Sequence, residues 1–290
     1  MKSKLLIGIM ITGMIVVTGC SNDSNVAREK DISNSNSIEK NYSSENNEEV
    51  IKTDVKIESI PVGAYIKYQP SSTSCIVLSE DSGHKNQTYN PSTITSWKVF
   101  KNNNGQLDII SSESVGSLCL VGKTGYAKAV YTLNKMCSEY VNPTYAISGR
   151  SLGYVEGSSM ETIDIEEYPM TWENTYKNGN CEFPYTDTYY INDKEIIKTV
   201  IYTDQSLLLQ HDVWLASRWS EAYSGISMFG VCHLNSSGLS GSSQLYNSHS
   251  DGRISTYFAA HGVHPVISLK DNIKITAGNG TKESPYIISI

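Results

Sequence analysis

Val213-Trp214-Leu215-Ala216-Ser217-Arg218, followed by Phe229-Gly230-Val231-Cys232-His233-Leu234 and then by Gly262-Val263-His264-Pro265-Val266-Ile267-Ser268-Leu269, decides the fold. Each run is short, rich in Val, Leu, Ile or Phe, and bounded by Gly, Ser and Asn, which is the pattern of buried strands between turns. The three are expected in one buried sheet, with residues 56 to 212 packed against it. Pro265 lacks an amide hydrogen, so its strand should lie on an edge or carry a break.

Working outward, 236–238 (Ser-Ser-Gly) separates strand 229–235 from strand 239–246, and 277–281 (Ala-Gly-Asn-Gly-Thr) turns into a closing strand at 285–290. Upstream, 60–68 reads as a first strand with Gly63 as a bulge. Asn102-Asn103-Asn104-Gly105 lies between Trp97-Lys98-Val99-Phe100 and Gln106-Leu107-Asp108-Ile109-Ile110. Asn-Gly tolerates positive φ at both positions, so this is a hairpin. Tyr126, Val130, Leu133, Cys137 and Tyr140 recur at four- and three-residue steps and predict a helix over about 125–141, stopped before Pro143. A shorter helix is expected from Ser158 or Ser159 to Glu167. Arg150 reads as a surface arginine in a turn, with a buried ion pair as the alternative. The stretch from 168 to about 205 has little periodicity and is expected as long central loops, the place for a binding surface. Its candidates are Trp172, Tyr176, Tyr185, Tyr189 and Tyr190.

The amino end is different material. A basic start (Met1-Lys2-Ser3-Lys4), an apolar run from Leu5 to Val17 and small residues before Cys20 make up a secretory signal. The run is shorter than the roughly 20 residues that a membrane span needs. Val17-Thr18-Gly19-Cys20 resembles the lipobox of bacterial lipoproteins, which implies a signal peptide over 1–19 and a diacylglycerol-modified Cys20. Residues 20–55, dominated by Ser, Asn, Glu and Lys, cannot bury enough surface to order themselves and read as a flexible tether. A single globular domain over 56–290 follows. The expected location is the outer face of the cell membrane, held by lipid.

Composition narrows the partners. The formal net charge is -7 and no basic cluster occurs, which weighs against nucleic acid. Nineteen Tyr against four Phe suits half-wet sheets or an exposed recognition surface. Besides Cys20 there are Cys75, Cys119, Cys137, Cys181 and Cys232, an odd number without Cys-x-x-Cys spacing. Cys119, Cys137 and Cys232 lie in apolar stretches as small hydrophobes; a disulfide between two of these is not readable from spacing.

Chemical constellations are weak. His261 and His264 stand three apart on an extended chain and face opposite ways, and Cys232-His233 has the same problem, so no metal site is assigned. His211-Asp212 with Ser217 lacks the nucleophile elbow of a hydrolase. Asp251-Gly252 and Asp271-Asn272 offer oxygens for calcium, although such pairs more often make turns. No other cofactor is implied. Arg218, after an apolar run, should be partly buried against a carboxylate or backbone carbonyls, with ligand binding as its lesser role.

As an ordered set, Trp97–Phe100, Gly125-Tyr126-Ala127, Arg150-Ser151-Leu152-Gly153, Trp214–Arg218, Gly262–Leu269 and Gly278-Asn279-Gly280-Thr281-Lys282-Glu283-Ser284-Pro285-Tyr286 resemble an uncharacterised domain at the carboxyl ends of Gram-positive lipoproteins and of pilin-like or phage-associated proteins. In that family an arginine commonly stands at the position of His264. The pattern is similar, more loosely, to C-type-lectin-like domains of the formylglycine-generating and phage-tropism type. The resemblance implies an α+β fold with a helix pair beside twisted antiparallel strands. Neither lectin calcium motifs nor the paired-cysteine site of formylglycine generation occurs, so function does not follow from the fold. The expectation is a surface-tethered, non-enzymatic domain that binds cell-wall glycan or a surface protein, or serves envelope structure. An extracytoplasmic enzyme and a receptor-decoy or phage-related surface protein are the alternatives.

Overall fold

A computed structural model describes residues 55–73, 76–78, 80–84, 87–154, 160–179, 182, 184–187, 212–235 and 240–290. Cys20, the leader, nearly all of the tether, Cys75, Cys181, Tyr189 and Tyr190 lie outside the described residues. The fold is mixed α+β and mostly sheet. In chain order come β1 (Tyr65–Lys67), β2 (Ile76–Leu78), β3 (Gln87–Tyr89), β4 (Trp97–Asn103), β5 (Gln106–Ser111) and β6 (Ser117–Val121). Two helices follow, α1 (Gly122–Ala127) and α2 (Ala129–Ser138), and then β7 (Ala146–Arg150). The remaining strands are β8 (Val213–Tyr223), β9 (Ile226–Leu234), β10 (Ser240–His249), β11 (Ile254–Thr256), β12 (Phe258–Gly262), β13 (Val266–Leu269), β14 (Lys274–Ala277) and β15 (Tyr286–Ser289).

These strands make two large sheets and a small ribbon, not one sheet. One runs β14-β15-β1-β4-β5-β13-β7, the other β11-β10-β9-β8-β12-β6, and β2 pairs with β3 alone. The expectation that 213–218, 229–234 and 262–269 share a sheet is therefore corrected. Pro265 is the physical reason: β12 stops at Gly262, residues 263–265 cross over, and β13 begins at Val266 in the other sheet between β5 and β7. The proline marks a break, as its missing donor requires, and the strand after it is interior. Phe100, Ile110 and Val266 from one sheet meet Val213, Leu215, Cys232 and Leu234 from the other in one apolar cluster with Leu152.

Local chemistry explains the β4–β5 hairpin. Asn104 and Gly105 adopt φ of 53° and 98°, the two positive values that match the twist of paired strands. The Asn102 side chain accepts from Gly105 N at 3.0 Å and donates to the carbonyls of Ile57 and Ile60 at 2.9 Å each, fixing the entering chain to the hairpin. Gly63 sits in a turn before β1 rather than in a bulge.

The helix stripe is present, with Tyr126, Val130, Leu133, Cys137 and Tyr140 all 0 % exposed, but the helix is two pieces. Tyr131 N donates not to Ala127 O but to Glu161 O at 3.0 Å, and Ala127 O accepts from Ile163 N at 2.9 Å and from Arg218 Nη1 at 3.3 Å. A later segment of the same chain thus inserts into the ladder of the helix, which bends it at Lys128 (φ -101°, ψ 7°). The same exchange overturns the expected second helix. Residues 160–167 are turns and bends, because the amide of Ile163 and the carbonyl of Glu161 are committed to the helix break. Arg150 is not a free surface side chain; half-buried, it stands 3.7 Å from Asp108 across β13. Cys119, Cys137 and Cys232 carry free thiols.

Candidate functional site

Among the described residues, two places gather chemistry. The first is a wide turn of π type, Glu173–Lys177, entered through Trp172. Trp172 and Tyr176 are four residues apart, so they share a face, and their rings stack at 5.3 Å between centroids with 22° between planes. Tyr176 is 44 % exposed, and neighbouring Tyr223 is 48 % exposed. The turn is rigidly seated. Trp172 N donates to Ser248 Oγ at 3.0 Å, Trp172 Nε1 donates to Tyr223 O at 2.8 Å, and Thr175 Oγ1 meets Ser227 Oγ. Asn174 donates to Pro169 O and to the hydroxyl of Tyr185. Stacked aromatics at the surface, fastened at both backbone and ring, form a preorganised platform with Glu173, Lys177 and Glu221 around it.

Of the other sequence candidates, Tyr185 and Arg218 do not join this surface, and Tyr189 and Tyr190 lie outside the described residues. Tyr185 is only 1 % exposed, its ring edge-on to Phe229 at 5.9 Å, so it supports the platform from below through Asn174. Arg218 is fully buried, with its guanidinium Nε 3.1 Å from Asp187 Oδ2 and further donors on the carbonyls of Ala127 and Met160. Both are withdrawn from any ligand at the surface. Asp251 is held in a turn by Arg253, whose Nε lies 2.7 Å from Oδ2, and Asp271 also sits in a turn.

The second place was not legible. Asp212, just before β8, His233 on β9 and His261 on β12 bring one ligand atom each within 4.8 Å of one another. Asp212 Oδ2 lies 3.4 Å from His233 Nε2 and 3.9 Å from His261 Nδ1. The far nitrogens both reach Ser243 Oγ on β10, at 3.3 Å from His233 Nδ1 and 2.7 Å from His261 Nε2. The imidazoles lie 4.5 Å apart at 33°, and the edge of Trp214 meets His261 at 4.2 Å. Trp214 is itself anchored through Nε1 to Leu118 O at 2.7 Å. Burial pushes the His261 pKa down to about 4, helped by His233 and opposed by Asp212. Burial lowers His233 too, again against Asp212. Both rings are therefore neutral at pH 7, and their contacts with Asp212 are not ion pairs.

Each of these three residues had been weighed with a sequence neighbour: His261 with His264, His233 with Cys232, Asp212 with His211. Cys232 and His264 do point away from these side chains, and His211 lies outside the described residues. His264 is buried in the other direction, against Ser111 O at 2.9 Å. The signal lies in the register, Trp214 opposite His233 and Gly262 opposite Val213, which no spacing rule supplies. No family model, curated protein or solved structure matches this chain. Among the described residues, no helix is long and apolar enough to cross a membrane.

Proposed function

We propose that this chain is a non-enzymatic recognition protein of the bacterial envelope, tethered by lipid at Cys20, whose globular part binds a cell-wall glycan across the Trp172–Tyr176 platform. The carrying observation is that stacked pair, with Tyr176 exposed and Trp172 half-buried at the surface, fixed by hydrogen bonds to β8, β9 and β10. Aromatic faces supply large contact area at little entropic cost, and a sugar ring has apolar C–H faces to lay on them while its hydroxyls meet the surrounding carboxylates and amides. Two consecutive helices beside antiparallel strands support kinship with C-type-lectin-like domains. The lipobox-like Val17-Thr18-Gly19-Cys20 supports the anchor.

The test is a glycan and cell-wall-polymer array probed with the full chain in mild detergent, with calcium and with chelator. Binding should survive chelation. The Trp172→Ala change should weaken it by about 2 kcal/mol, ~30-fold in Kd, the scale of an aromatic hot spot. Silence of the folded wild type across the array would reject glycan recognition. Metabolic labelling with a palmitate analogue should mark the wild type and leave Cys20→Ser unmarked; equal labelling would place the lipid elsewhere.

One observation favours an extracytoplasmic enzyme: Ser243, His261 and Asp212 stand in the order nucleophile, base, orienting carboxylate. The 3.9 Å from Asp212 to His261 weighs against it, since an orienting bond spans roughly 2.6–3.2 Å.

A further inference from the structure

We propose that Asp212, His233 and His261 bind a divalent first-row transition metal ion, zinc foremost. Three donors about 2.1 Å from a tetrahedral ion stand about 3.4 Å apart. Asp212 Oδ2 already lies 3.4 Å from His233 Nε2 and 3.9 Å from His261 Nδ1, and one donor atom of each residue lies within 4.8 Å of the other two, so the set stands near the spacing that an ion needs.

The surroundings suit ligands rather than a chance cluster. A histidine ligand needs one nitrogen bare toward the ion and its other N–H held by an acceptor. Ser243 Oγ has two lone pairs and faces the outer nitrogen of each ring, so one hydroxyl can accept from both and turn both inner lone pairs toward Asp212. Gly241, opposite His233 on β10, keeps the inner side open: a Cβ there would stand 2.9 Å from His233 Nε2, the donor atom itself. Trp214 packs against His261, and Gly262 N donates to Asp212 O at 2.7 Å, so every ligand sits on or beside a strand whose position is fixed. The histidine side chains are 13 % and 14 % exposed and Asp212 is 32 % exposed, which leaves one side for ion entry and a water ligand. Two imidazoles with one carboxylate select zinc or its first-row neighbours over calcium and magnesium, which take oxygen donors.

The experiment titrates the metal-free full chain, in mild detergent, with Zn²⁺ and with Co²⁺ against a chromophoric chelator, and with Ca²⁺ as a contrast. One equivalent of Zn²⁺ should bind per chain and raise the thermal midpoint, since an ion bound only by the folded state stabilises it. Co²⁺ should give the visible absorption of a tetrahedral or five-coordinate ion. Asp212→Asn, which keeps the shape, and His261→Ala should each lose the midpoint shift. Ser243→Ala should weaken binding by about 10- to 100-fold, the scale of lost ligand orientation. Each variant's far-ultraviolet spectrum checks that it is folded. No binding of either ion by the wild type, or binding and midpoint shift unchanged in folded Asp212→Asn, overturns the site. Preference for Co²⁺ over Zn²⁺ with the same dependence on Asp212 and His261 upholds it. Binding of Ca²⁺ alone overturns the assignment.

Discussion

Arg218→Met should destabilise the protein by about 3–5 kcal/mol, the scale for stripping one partner from a buried ion pair. Arg218 is 0 % exposed and Asp187 4 % exposed. Asp187 Oδ2 accepts from the backbone N of Arg218 at 2.6 Å and from its Nε at 3.1 Å, while Asp187 N donates back to Arg218 O at 3.0 Å. Methionine fills much of the same volume, so packing is roughly conserved. What remains is a carboxylate without its guanidinium, together with the Met160 carbonyl without its guanidinium donor and the Ala127 carbonyl left with Ile163 N. The second variant, Arg218→Met with Asp187→Asn, removes the orphaned charge and should recover a substantial part of the loss, because the pair's desolvation cost goes with it. Urea unfolding of both proteins and the wild type measures this. A single variant within about 1 kcal/mol of wild type, as most exposed substitutions are, would mean that Arg218 does not hold these segments together. The loss should reach the helix break as well. Ala127 O, freed from its i+4 amide, relies on Ile163 and Arg218, so amide exchange at Ile163 and Tyr131 should quicken in the single variant.

What was legible follows the range of the forces. The Asn104-Gly105 turn is set by the φ preferences of two residues, and the structure has it where the sequence puts it. The apolar stripe from Tyr126 to Tyr140 is likewise local, and its burial was readable. The break at Lys128 was not, since its cause is a pair of backbone hydrogen bonds from Glu161 and Ile163, more than thirty residues away. Arg218 was readable as a buried cation from the apolar run before it; Asp187, in a stretch without periodicity, was not readable as its partner. Trp172 stands half-buried at the surface, whereas Tyr185, from the same aromatic-rich stretch, went to the core, because composition does not say which ring faces water. The metal-type cluster was hidden for a plainer reason. Adjacent residues on a strand diverge, so neighbours in sequence are poor evidence for a site, whereas Asp212, His233 and His261 meet only through the order β9-β8-β12.

Acidification should destabilise the protein well above the carboxylate range, and His264 should carry much of the effect. Its side chain lies between the sheets' crossover and Ser111, donating Nδ1–H to Ser111 O at 2.9 Å, with Ser111 Oγ at 3.4 Å. Burial pushes its pKa down to about 4 against the opposing pull of the Ser111 carbonyl, and Lys98 adds a smaller depression. An unfolded chain holds a histidine near 6.5. Between about 4 and 6.5 the unfolded state therefore binds a proton that the folded state refuses, and stability rises with pH across that window. The contribution is complete above about pH 6.5 and is lost as pH falls toward 4, with a slope of up to about 1.4 kcal/mol per pH unit for one imidazole. His261, held low by burial as well, titrates in the same interval, so the wild-type slope should exceed one residue's share. Asp81, lowered below the usual carboxylate range by Lys135 and Lys128, acts only at still lower pH and does not overlap. Urea unfolding at pH 7, 6 and 5, with chelator present so that bound metal adds nothing, reads the slope. His264→Asn places an amide nitrogen where Nδ1 stands and keeps the donor to Ser111 O; it should cost stability at pH 7 through lost packing. It should also flatten the pH dependence by about 1 kcal/mol per unit, the part that a titrating imidazole supplies and an amide does not. Equal slopes in the two proteins would assign the acid sensitivity to other groups and leave His264 as a packing residue.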